Sequence, residues 1–329
     1  MKGIGLLSGG LDSSLTVKIM LDMGVEVICL NMKTPFCLCD GKGSCNSQKV
    51  AEKYNLPLVR IFGGKDYIEL IKNPKHGYGK GLNPCIDCRI YLFTKAKELM
   101  EKEKAEFIFT GEVLGQRPMS QRIDAMKLID KKSGLVGKVL RPLSAKVLEP
   151  TIMEQQGLID RDKLLAIRGR SRKPQMALAK ELEIGDYPCP AGGCLLTDFE
   201  FSKRLKDAFK FGESVLRDIE LLKIGRHFRL PSGAKVICGR EKDENEKILL
   251  LARKDELKFT VEKIKSTYAL LLGEFTLENK MLASRICARY SKSKGKEKLV
   301  VKNWTTSTEA FERIEVEPFL DDQLSILKV

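Results

Sequence analysis

The sequence predicts an α/β fold, a doubly wound parallel sheet, followed by a smaller C-terminal α+β domain. Strand-like and helix-like segments alternate along about the first 140 residues, which is typical of a parallel sheet with helices on both faces. Motifs rich in glycine or cysteine follow the strands, at the edge where such sheets bind ligands. The alternation stops near Phe199, so we predict two domains, residues 1–200 and 201–329.

Each element follows from the local pattern. The predicted strands are residues 3–7, 25–30, 57–61 and 107–110, and helices follow Gly10 and occupy residues 48–54 and 90–102. Beyond residue 140, prolines interrupt basic helical segments. In the C-terminal part, short strands flank the Pro231-Ser232-Gly233 turn, and a helix begins near Asn245.

Basic residues exceed acidic residues by 14, and the excess is local. Segment 131–180 carries 12 basic and 4 acidic residues, and segment 201–329 carries 27 and 20, so the remainder is close to neutral. This distribution favours a polyanionic partner over general solubilisation. With 43% hydrophobic and 31% charged residues, the composition excludes collagen-like and wholly disordered proteins.

The ten cysteines lie in a chain without a secretory signal, because Ser8-Gly9-Gly10 interrupts the apolar start, and without an apolar run that could span a membrane. We therefore expect a reducing, cytoplasmic compartment and no membrane partner. Grouped cysteines in such a compartment indicate metal or redox chemistry.

Ser8-Gly9-Gly10-Leu11-Asp12-Ser13-Ser14 follows the first strand and opens a helix. Backbone N–H groups and the hydroxyls of Ser8, Ser13 and Ser14 would meet phosphates there, and Asp12 would hold Mg²⁺. The alternative is an ordinary glycine turn with a helix cap. The motif resembles the PP-loop of the ATP pyrophosphatase superfamily, which has the adenine nucleotide alpha hydrolase-like fold. The resemblance implies that ATP adenylates a substrate oxygen and releases pyrophosphate.

Asn83-Pro84-Cys85-Ile86-Asp87-Cys88 precedes a helix, whose start would lower the pKa of both thiols. Alone, this C-x-x-C could be a redox pair or half of a zinc site. In context it resembles the tRNA-thiolating branch of the superfamily, the 2-thiouridylases and 4-thiouridine synthases. The resemblance implies that Cys88 is catalytic and that members with C-x-x-C depend on an iron–sulfur cluster.

Two further strand ends resemble nucleotide-binding segments of the thiouridylases. Gly111, in Thr110-Gly111-Glu112, would permit close approach of the backbone, although a plain strand-to-helix turn is the alternative. Met32, at the end of the second strand, corresponds to the segment whose backbone reads the adenine edge.

Tyr187-Pro188-Cys189-Pro190-Ala191-Gly192-Gly193-Cys194 supplies two more cysteines. The resemblance implies a [4Fe–4S] cluster on Cys85, Cys88 and Cys194, or a persulfide on one of them. Cys189 is the alternative third ligand, and Cys194 is favoured because Gly-Gly-Cys-Leu-Leu matches the family pattern. A buried structural role is the alternative for either cysteine.

A third cysteine group, Cys37, Cys39 and Cys45, could bind Zn²⁺ or a second iron–sulfur unit, or relay sulfur. It departs from most thiouridylases and receives no role from the resemblance. Three further cysteines lie in apolar or strand-like contexts and are predicted to be core residues: Cys29, Cys238 and Cys287.

The basic stretch 168–175 stands shortly before Cys189 and Cys194 and could pair with RNA phosphates. Upstream basic residues would extend this surface: Arg117, Arg122, Arg141 and Lys146. A solvated helix face is the alternative. The two histidines, His76 and His227, form no nucleophile–base pair of the hydrolase type, and His76 lies in a segment predicted to be a mobile lid.

The C-terminal part, with Gly239-Arg240 and residues 244–247, resembles an RNA-binding module of the NFACT type, which implies that it holds tRNA. We hypothesise that ATP and Mg²⁺ activate the C2 or C4 oxygen of a tRNA uridine as an O-adenylate. Sulfide, held on the open iron of a cluster or carried as a persulfide, would then displace AMP. The donor would be sulfide or a persulfide carrier protein, and the sequence leaves the oligomeric state open.

Two other functions use the same features. An amidating ligase resembling the NAD or GMP synthetases would combine adenylation with ammonia, which would leave the paired cysteines and the basic C-terminal part without a purpose. A non-catalytic RNA-binding or iron–sulfur protein is the second alternative.

Overall fold

The computed structural model describes residues 1–37, 46–185, 194–292, 298–307 and 311–329. The chain divides into two compact units, Met1–Asp198 and Phe199–Val329. Each unit has its own sheet and its own core, as described below.

The first unit is built on five parallel strands in the order β3-β2-β1-β4-β5. The strands are β1 (Lys2–Leu6), β2 (Glu26–Lys33), β3 (Leu58–Phe62), β4 (Phe107–Thr110) and β5 (Val139–Leu140). The helices are α1 (Leu11–Asp22), α2 (Asn46–Lys53), α3 (Lys65–Lys72), α4 (Cys85–Lys102), α5 (Ile123–Lys132), α6 (Ile152–Gln155) and α7 (Lys173–Glu181). Short 3₁₀ turns cover Ala145–Val147, Arg161–Lys163 and Leu195–Thr197.

Side chains of the central strands alternate between two apolar cores, one on each face of the sheet. Ile4 and Ile108 pack on one side with Phe93 of α4, whereas Phe107 and Phe109 pack on the other side with α1. Glycines in β1 leave room for these two rings: a Cβ at Gly5 would lie 2.6 Å from the Phe109 ring. The predicted doubly wound α/β fold is confirmed.

The strand order places β2 and β4 on opposite sides of β1. The chain therefore leaves the sheet in opposite directions after β1 and after β4, which opens a crevice at the carboxyl edge. The predicted motifs at residues 8–14 and 110–112 both follow these strands, so they lie at this edge.

The second unit has a six-stranded sheet in the order β11-β10-β8-β9-β7-β6, whose neighbours are antiparallel. Its strands are β6 (Arg226–Arg229), β7 (Lys235–Cys238), β8 (Leu257–Val261), β9 (Ala269–Leu272), β10 (Leu299–Trp304) and β11 (Glu312–Val316). Its helices are α8 (Phe199–Lys210), α9 (Leu216–Leu222), α10 (Lys242–Leu251), α11 (Leu277–Arg289) and α12 (Asp321–Leu327). The predicted hairpin around residues 231–233 is formed by β6 and β7, and the following helix begins at Lys242, three residues before the predicted start.

The core of the second unit lies between the sheet and α11, with Phe228, Phe259 and Ile286 fully buried. Among the described residues, no helix combines the length and the apolar composition that crossing a membrane requires.

Candidate functional site

The loop between β1 and α1 has the features of an anion site. Helix α1 begins at Leu11, and its N-cap residue Gly10 makes no side-chain capping hydrogen bond. The Ser13 and Ser14 hydroxyls donate to the Gly10 carbonyl oxygen at 2.9 and 3.0 Å. Both serines are buried, whereas Ser8 is exposed. The backbone N–H groups of the first turn are therefore the main donors that this loop offers to an anion.

Asp12 is oriented by two glutamines that the sequence analysis did not identify. Gln116 Nε2 donates to Asp12 Oδ2 at 2.8 Å, and Gln175 Nε2 donates to Gln116 Oε1 at 3.0 Å. Within the described residues, Asp12 Oδ1 is buried without a hydrogen-bond partner. A fixed carboxylate with one unsatisfied oxygen fits a Mg²⁺ ligand.

Gly9 and Gly111 allow the loop to be packed tightly. Gly9 has φ of +77°, and a Cβ there would lie 2.4 Å from the backbone nitrogen of Ser47, on α2. A Cβ at Gly111 would lie 2.6 Å from the backbone nitrogen of Ser13. The close approach that Gly111 permits is thus to the first turn of α1.

Met32 is half-buried in β2, and its neighbour Asn31 is connected to the loop. Asn31 Nδ2 donates to the Leu7 carbonyl oxygen at 2.8 Å, while its Oδ1 is buried without a partner in the described part of the chain. Asn31 therefore fixes the residue that precedes Ser8. Sequence reasoning missed it because a single asparagine carries no pattern.

Cysteines from three segments are brought together beside this edge. Cys85 and Cys88 lie on the first turn of α4, as predicted. Cys37, which follows β2, forms an isolated antiparallel bridge with Cys194. The Tyr67 hydroxyl lies 3.1 Å from Cys88 Sγ. Cys37 and Cys85 both influence the pKa of Cys88, and all three influence that of Cys194, so a fourth thiol, Cys37, lies near the three predicted ligands.

The prediction that the helix start lowers the pKa of both thiols is wrong. Burial raises the pKa of Cys85 and Cys88, although Arg117 and Arg89 oppose the rise at Cys85 and the Tyr67 hydroxyl opposes it at Cys88. Burial raises the pKa of Cys194 to about 12, and the neighbouring cysteines add to this rise. Desolvation of these half-buried thiols outweighs the effect of the helix terminus.

The donor type of this group is that of iron–sulfur sites, which cysteine thiolates hold. Within the described residues, no three His, Cys, Asp or Glu side chains lie close enough together to hold a metal ion. Neighbouring cysteine thiols nevertheless influence the pKa of Cys88 and that of Cys194.

Three predicted positions, Cys39, Cys45 and Cys189, lie outside the described residues, so the second metal site and the alternative third ligand stay predictions. The three cysteines predicted to be core residues are buried: Cys29, Cys238 and Cys287.

Glu112, which follows Gly111, is the centre of a buried ion network. It lies 3.4 Å from Arg89 Nε and accepts from Arg141 Nε at 3.1 Å, and Arg141 also donates to Asp130 at 2.8 and 2.9 Å. Arg141 is only 6% exposed. The prediction that Arg141 contacts RNA is therefore wrong, since its charge is already paired inside the unit.

The basic stretch 168–175 runs beside the loop. Arg168 forms a parallel bridge with Leu114, and the Gly169 N–H donates to the Leu114 carbonyl oxygen at 2.7 Å. The stretch leads into α7, which carries Gln175 toward Gln116 and Asp12. Arg168, Arg170 and Lys173 are exposed. Of the upstream residues, Arg122 pairs with Asp124, and Lys146 donates to the Asp162 carbonyl oxygen.

His76 contacts the C-x-x-C segment, and the mobile lid expected around it stays a prediction. Its N–H donates to Asp87 Oδ2 at 2.9 Å, and its Nδ1 lies 2.9 Å from Asp87 Oδ1. Asp87 is buried between the two cysteines. The segment before α4 is therefore tied to the cysteine turn.

In the second unit, the residues that suggested an NFACT-type module form hydrogen bonds and close packing contacts within that unit. Arg240 N and Nε donate to Glu244 at 2.8 and 3.0 Å. Asn245 Oδ1 accepts from the Tyr268 N–H at 3.0 Å, and a Cβ at Gly239 would lie 2.2 Å from this oxygen. The motif thus joins β7, α10 and β9 structurally.

Two family models match the chain, and they confirm the resemblance seen in the sequence. Residues 1–150 match the family described as thiamine biosynthesis protein (ThiI), and residues 225–326 match the NFACT protein RNA binding domain.

Similar proteins include tRNA-modifying enzymes. A tRNA-specific 2-thiouridylase MnmA of Leptospira interrogans is 30% identical over 120 residues, which cover 32% of this chain and 31% of that protein. A "Probable tRNA sulfurtransferase" of Thermococcus kodakarensis is 28% identical over 151 residues, 43% of this chain and 36% of that protein. The chain thus spans about a third of the length of these relatives. A solved 4-thiouridine synthetase–RNA complex with bound ATP is 20% identical, with a TM-score of 0.37 and coverage of 68% of this chain and 52% of that one.

Proposed function

We propose that the protein is an ATP-dependent tRNA thiolation enzyme that adenylates a uridine carbonyl oxygen and then inserts sulfur. One observation carries the proposal: the adjacent residues Gly111 and Glu112 connect the two halves of the site. Gly111 packs on the peptide of Asp12, and Glu112 lies 3.4 Å from Arg89, the residue after Cys88. A nucleotide loop and a cysteine turn are thereby held at one sheet edge.

The first step rests on the loop and Asp12. The N-terminal N–H groups of α1 would receive the pyrophosphate of ATP, because the helix start carries partial positive charge. Asp12, fixed by Gln116, would hold Mg²⁺ through its unsatisfied oxygen. AMP would be transferred to the uridine oxygen, which turns that oxygen into a leaving group.

The second step rests on the thiols. Cys85, Cys88 and Cys194 would hold a [4Fe–4S] cluster, and a cluster bound there would supply an iron that can bind sulfide. Without it, the same thiols can carry sulfur as a persulfide. In either case the chain contributes a half-buried environment, in which the buried Tyr67 contacts Cys88. Burial and the neighbouring thiols raise the pKa of Tyr67, so its hydroxyl stays protonated and can donate to sulfur.

The substrate would reach this site along the basic stretch. Exposed Arg168, Arg170 and Lys173 can pair with phosphates beside the loop, and the buried Gln175 connects that stretch to Asp12. The second unit would hold another part of the tRNA, in keeping with the RNA-binding family that it matches. A uridine must be unpaired or turned out for its carbonyl to be attacked.

Two features favour thiolation over amidation. Ammonia needs no thiol, yet Cys85 and Cys88 lie on the turn that Arg89 joins to Glu112, and the similar proteins are named for tRNA thiolation. The alternatives are separated by the products: thiolation and amidation both release AMP, but only thiolation adds sulfur to a nucleoside.

The test uses the full chain, prepared without oxygen, with unmodified tRNA, ATP, Mg²⁺ and sulfide. We expect mass spectrometry of the digested tRNA to detect a thiouridine, and nucleotide analysis to detect AMP and pyrophosphate. Asp12→Asn keeps the oxygen that Gln116 contacts but removes the charge, and we expect at least about a 100-fold loss of rate. Lys102→Ala, at the far end of α4, should retain full activity. A wild-type reaction that yields no thionucleoside would refute the proposal.

A further inference from the structure

Asp12 is connected to helix α7 by a chain of two side-chain hydrogen bonds. Gln116 Nε2 donates to Asp12 Oδ2 at 2.8 Å, and Gln175 Nε2 donates to Gln116 Oε1 at 3.0 Å. The direction of both bonds is fixed, because a carboxylate oxygen can only accept and each amide has one oxygen. Gln175 is fully buried in the first turn of α7. The orientation of Asp12 therefore depends on the position of that turn.

The basic stretch that precedes α7 is bound to the same loop as the glutamine chain. The Gly169 N–H donates to the Leu114 carbonyl oxygen at 2.7 Å. The Ser144 hydroxyl accepts from the Leu114 N–H at 3.0 Å and donates to the Ile167 carbonyl oxygen at 2.6 Å. A shift of the basic stretch would therefore also move the loop that carries Gln116.

The first turn of α7 has two features that an anion would compensate. We call the position in which Gln175 donates to Gln116 the docked position. In this position Gln175 Oε1 is buried without a hydrogen-bond partner in the described part of the chain, which costs free energy. The helix also begins with Arg172 and Lys173 and has no acidic residue in its first turn, although cations are unfavourable at this end of a helix. Phosphates on the basic stretch would offset this positive charge and favour the docked position.

The rest of α7 is anchored independently of the glutamines. Ala179 is buried in the apolar core that Leu15 of α1 also lines, and Leu178 and Leu182 pack against the same core. Loss of the Gln175 contact should therefore leave the helix in place and alter only its first turn.

We propose that Gln175 couples the two ligands of the proposed function, so that tRNA and Mg²⁺-bound ATP each bind more tightly when the other is present. The inference rests on the proposed function for the identity of these ligands. Phosphates on the basic stretch would stabilise the docked position, in which Gln116 orients Asp12 for Mg²⁺. Gln175 is thus a positioning residue that acts through Gln116. As a consequence, ATP is bound most tightly when an RNA is present to accept AMP.

Coupling of this kind is reciprocal. The factor by which tRNA raises the affinity for ATP must equal the factor by which ATP raises the affinity for tRNA, because both express one coupling free energy. Such factors are typically about 5 to 150, and we expect about tenfold here. The coupling should require Mg²⁺, since Asp12 would act on ATP through the ion.

The test measures this factor in both directions with the full chain, unmodified tRNA and α,β-methylene-ATP, an analogue that cannot release pyrophosphate. Fluorescence anisotropy of labelled tRNA gives the affinity for tRNA with and without the analogue. Isothermal titration gives the affinity for the analogue with and without saturating tRNA. We expect both factors to be about ten in Mg²⁺ and about one in EDTA. Independent binding of the two ligands, or coupling that persists in EDTA, would overturn the inference.

Variants of one residue assign the coupling. Gln175→Met removes the donor at similar length, and Gln175→Glu keeps the shape but replaces the amide by a carboxylate. We expect both variants to lower the factor to about one, whereas a purely structural role would weaken both affinities and retain the factor. Met176→Ala, at the next and 50% exposed position of α7, should keep the wild-type factor. Melting temperatures check that each variant is folded. Wild-type coupling in either folded Gln175 variant would overturn the inference.

The tRNA reaction separates this inference from the proposed function. Thiouridine formed by a wild type whose two ligands bind independently would refute the inference and leave the function intact. Coupled binding by a wild type that forms no thiouridine would refute the function and retain the inference.

Discussion

Gly111 packs on Asp12 so closely that a Cβ at Gly111 would lie 2.6 Å from the Asp12 carbonyl carbon. Since the neighbouring atoms belong to the backbone, they cannot move aside without a large cost in free energy. We expect Gly111→Ala to displace the start of α1 at a cost of about 1 to 3 kcal/mol, and to weaken ATP binding by about tenfold or more. Isothermal titration with ATP and Mg²⁺ measures the effect. Gly185→Ala, at an exposed glycine with nothing within 4 Å of its Cβ, should bind ATP normally.

Gln116 holds Asp12 in the orientation that Mg²⁺ would use. We expect Gln116→Leu to lower the affinity for Mg²⁺-dependent ATP binding by about 10- to 100-fold, because partners of metal ligands usually have effects of this size. Titration of Mg²⁺ at fixed ATP measures the change. Gln156→Leu at an exposed position is the control. An unaltered Mg²⁺ dependence would show that Asp12 does not need this contact.

Arg141 neutralises the buried carboxylate of Glu112 and the half-buried carboxylate of Asp130. We expect Arg141→Met to lower the free energy of unfolding of the first unit by about 3 kcal/mol, since it leaves buried charge without its partner. Urea denaturation followed by circular dichroism measures this loss. Arg122→Ala breaks an exposed pair with Asp124 and should leave the unfolding curve unchanged. Comparable effects of the two variants would contradict the buried network.

His227 makes the second unit sensitive to acid. Burial, together with the positive charges of Lys235 and Arg204, lowers the pKa of His227 well below its usual value of 6.5. The unfolded chain therefore binds a proton below about pH 6.5 that the folded unit does not bind. Stability is unaffected by His227 above that pH and falls below it, by up to about 1.4 kcal/mol per pH unit.

Fluorescence of Trp304, the single tryptophan, measures unfolding of the second unit as the pH is lowered. We expect His227→Gln to flatten this pH dependence. His76→Gln, a change in the first unit, should preserve it. A steep loss of stability in His227→Gln would assign the acid sensitivity to other groups.

Arg168 and Arg170 are expected to bind tRNA phosphates. Arg168→Ala combined with Arg170→Ala should weaken tRNA binding and reduce the slope of log K against log salt concentration by about 2, since each lost phosphate contact removes about one unit. Filter binding at several salt concentrations measures the slope. Lys102→Ala lies at the opposite end of α4 from Cys85, about 25 Å along the helix, and should not change it. Equal slopes for the wild type, the double variant and Lys102→Ala would show that Arg168 and Arg170 do not bind tRNA phosphates.

Much of the first unit could be predicted from the sequence because its signals are local. The alternation of strand-like and helix-like segments predicts a parallel sheet, and the glycines of the loop between β1 and α1 predict a turn into a helix. The pairing of Cys37 with Cys194 could not be predicted, because it depends on register between segments more than 150 positions apart. The same limitation hid the contact of Gln116 with Asp12, which joins residues 104 positions apart.

Predictions made from charge and helix position were wrong where burial of the side chain decided its interactions or its pKa. Arg141 belongs to the basic segment by sequence, yet it points into the unit because Glu112 and Asp130 are there to receive it. Likewise, a helix start lowers a thiol pKa only when desolvation is small, and Cys85 and Cys88 are half-buried and partly desolvated. Side-chain direction in the folded chain, which no window of sequence records, determines both results.

Asp87 stands between the two cysteines of the C-x-x-C turn, yet its carboxylate binds His76 through two contacts. The identity of residue 87 therefore matters for its contact with His76 and not only for the spacing of the two cysteines. Among related chains, we expect residues 76 and 87 to vary together, with a hydrogen-bonding side chain at position 76 wherever an acidic residue occupies position 87. Joint variation at these two positions would distinguish chains that share this anchored turn from those that share the cysteines alone.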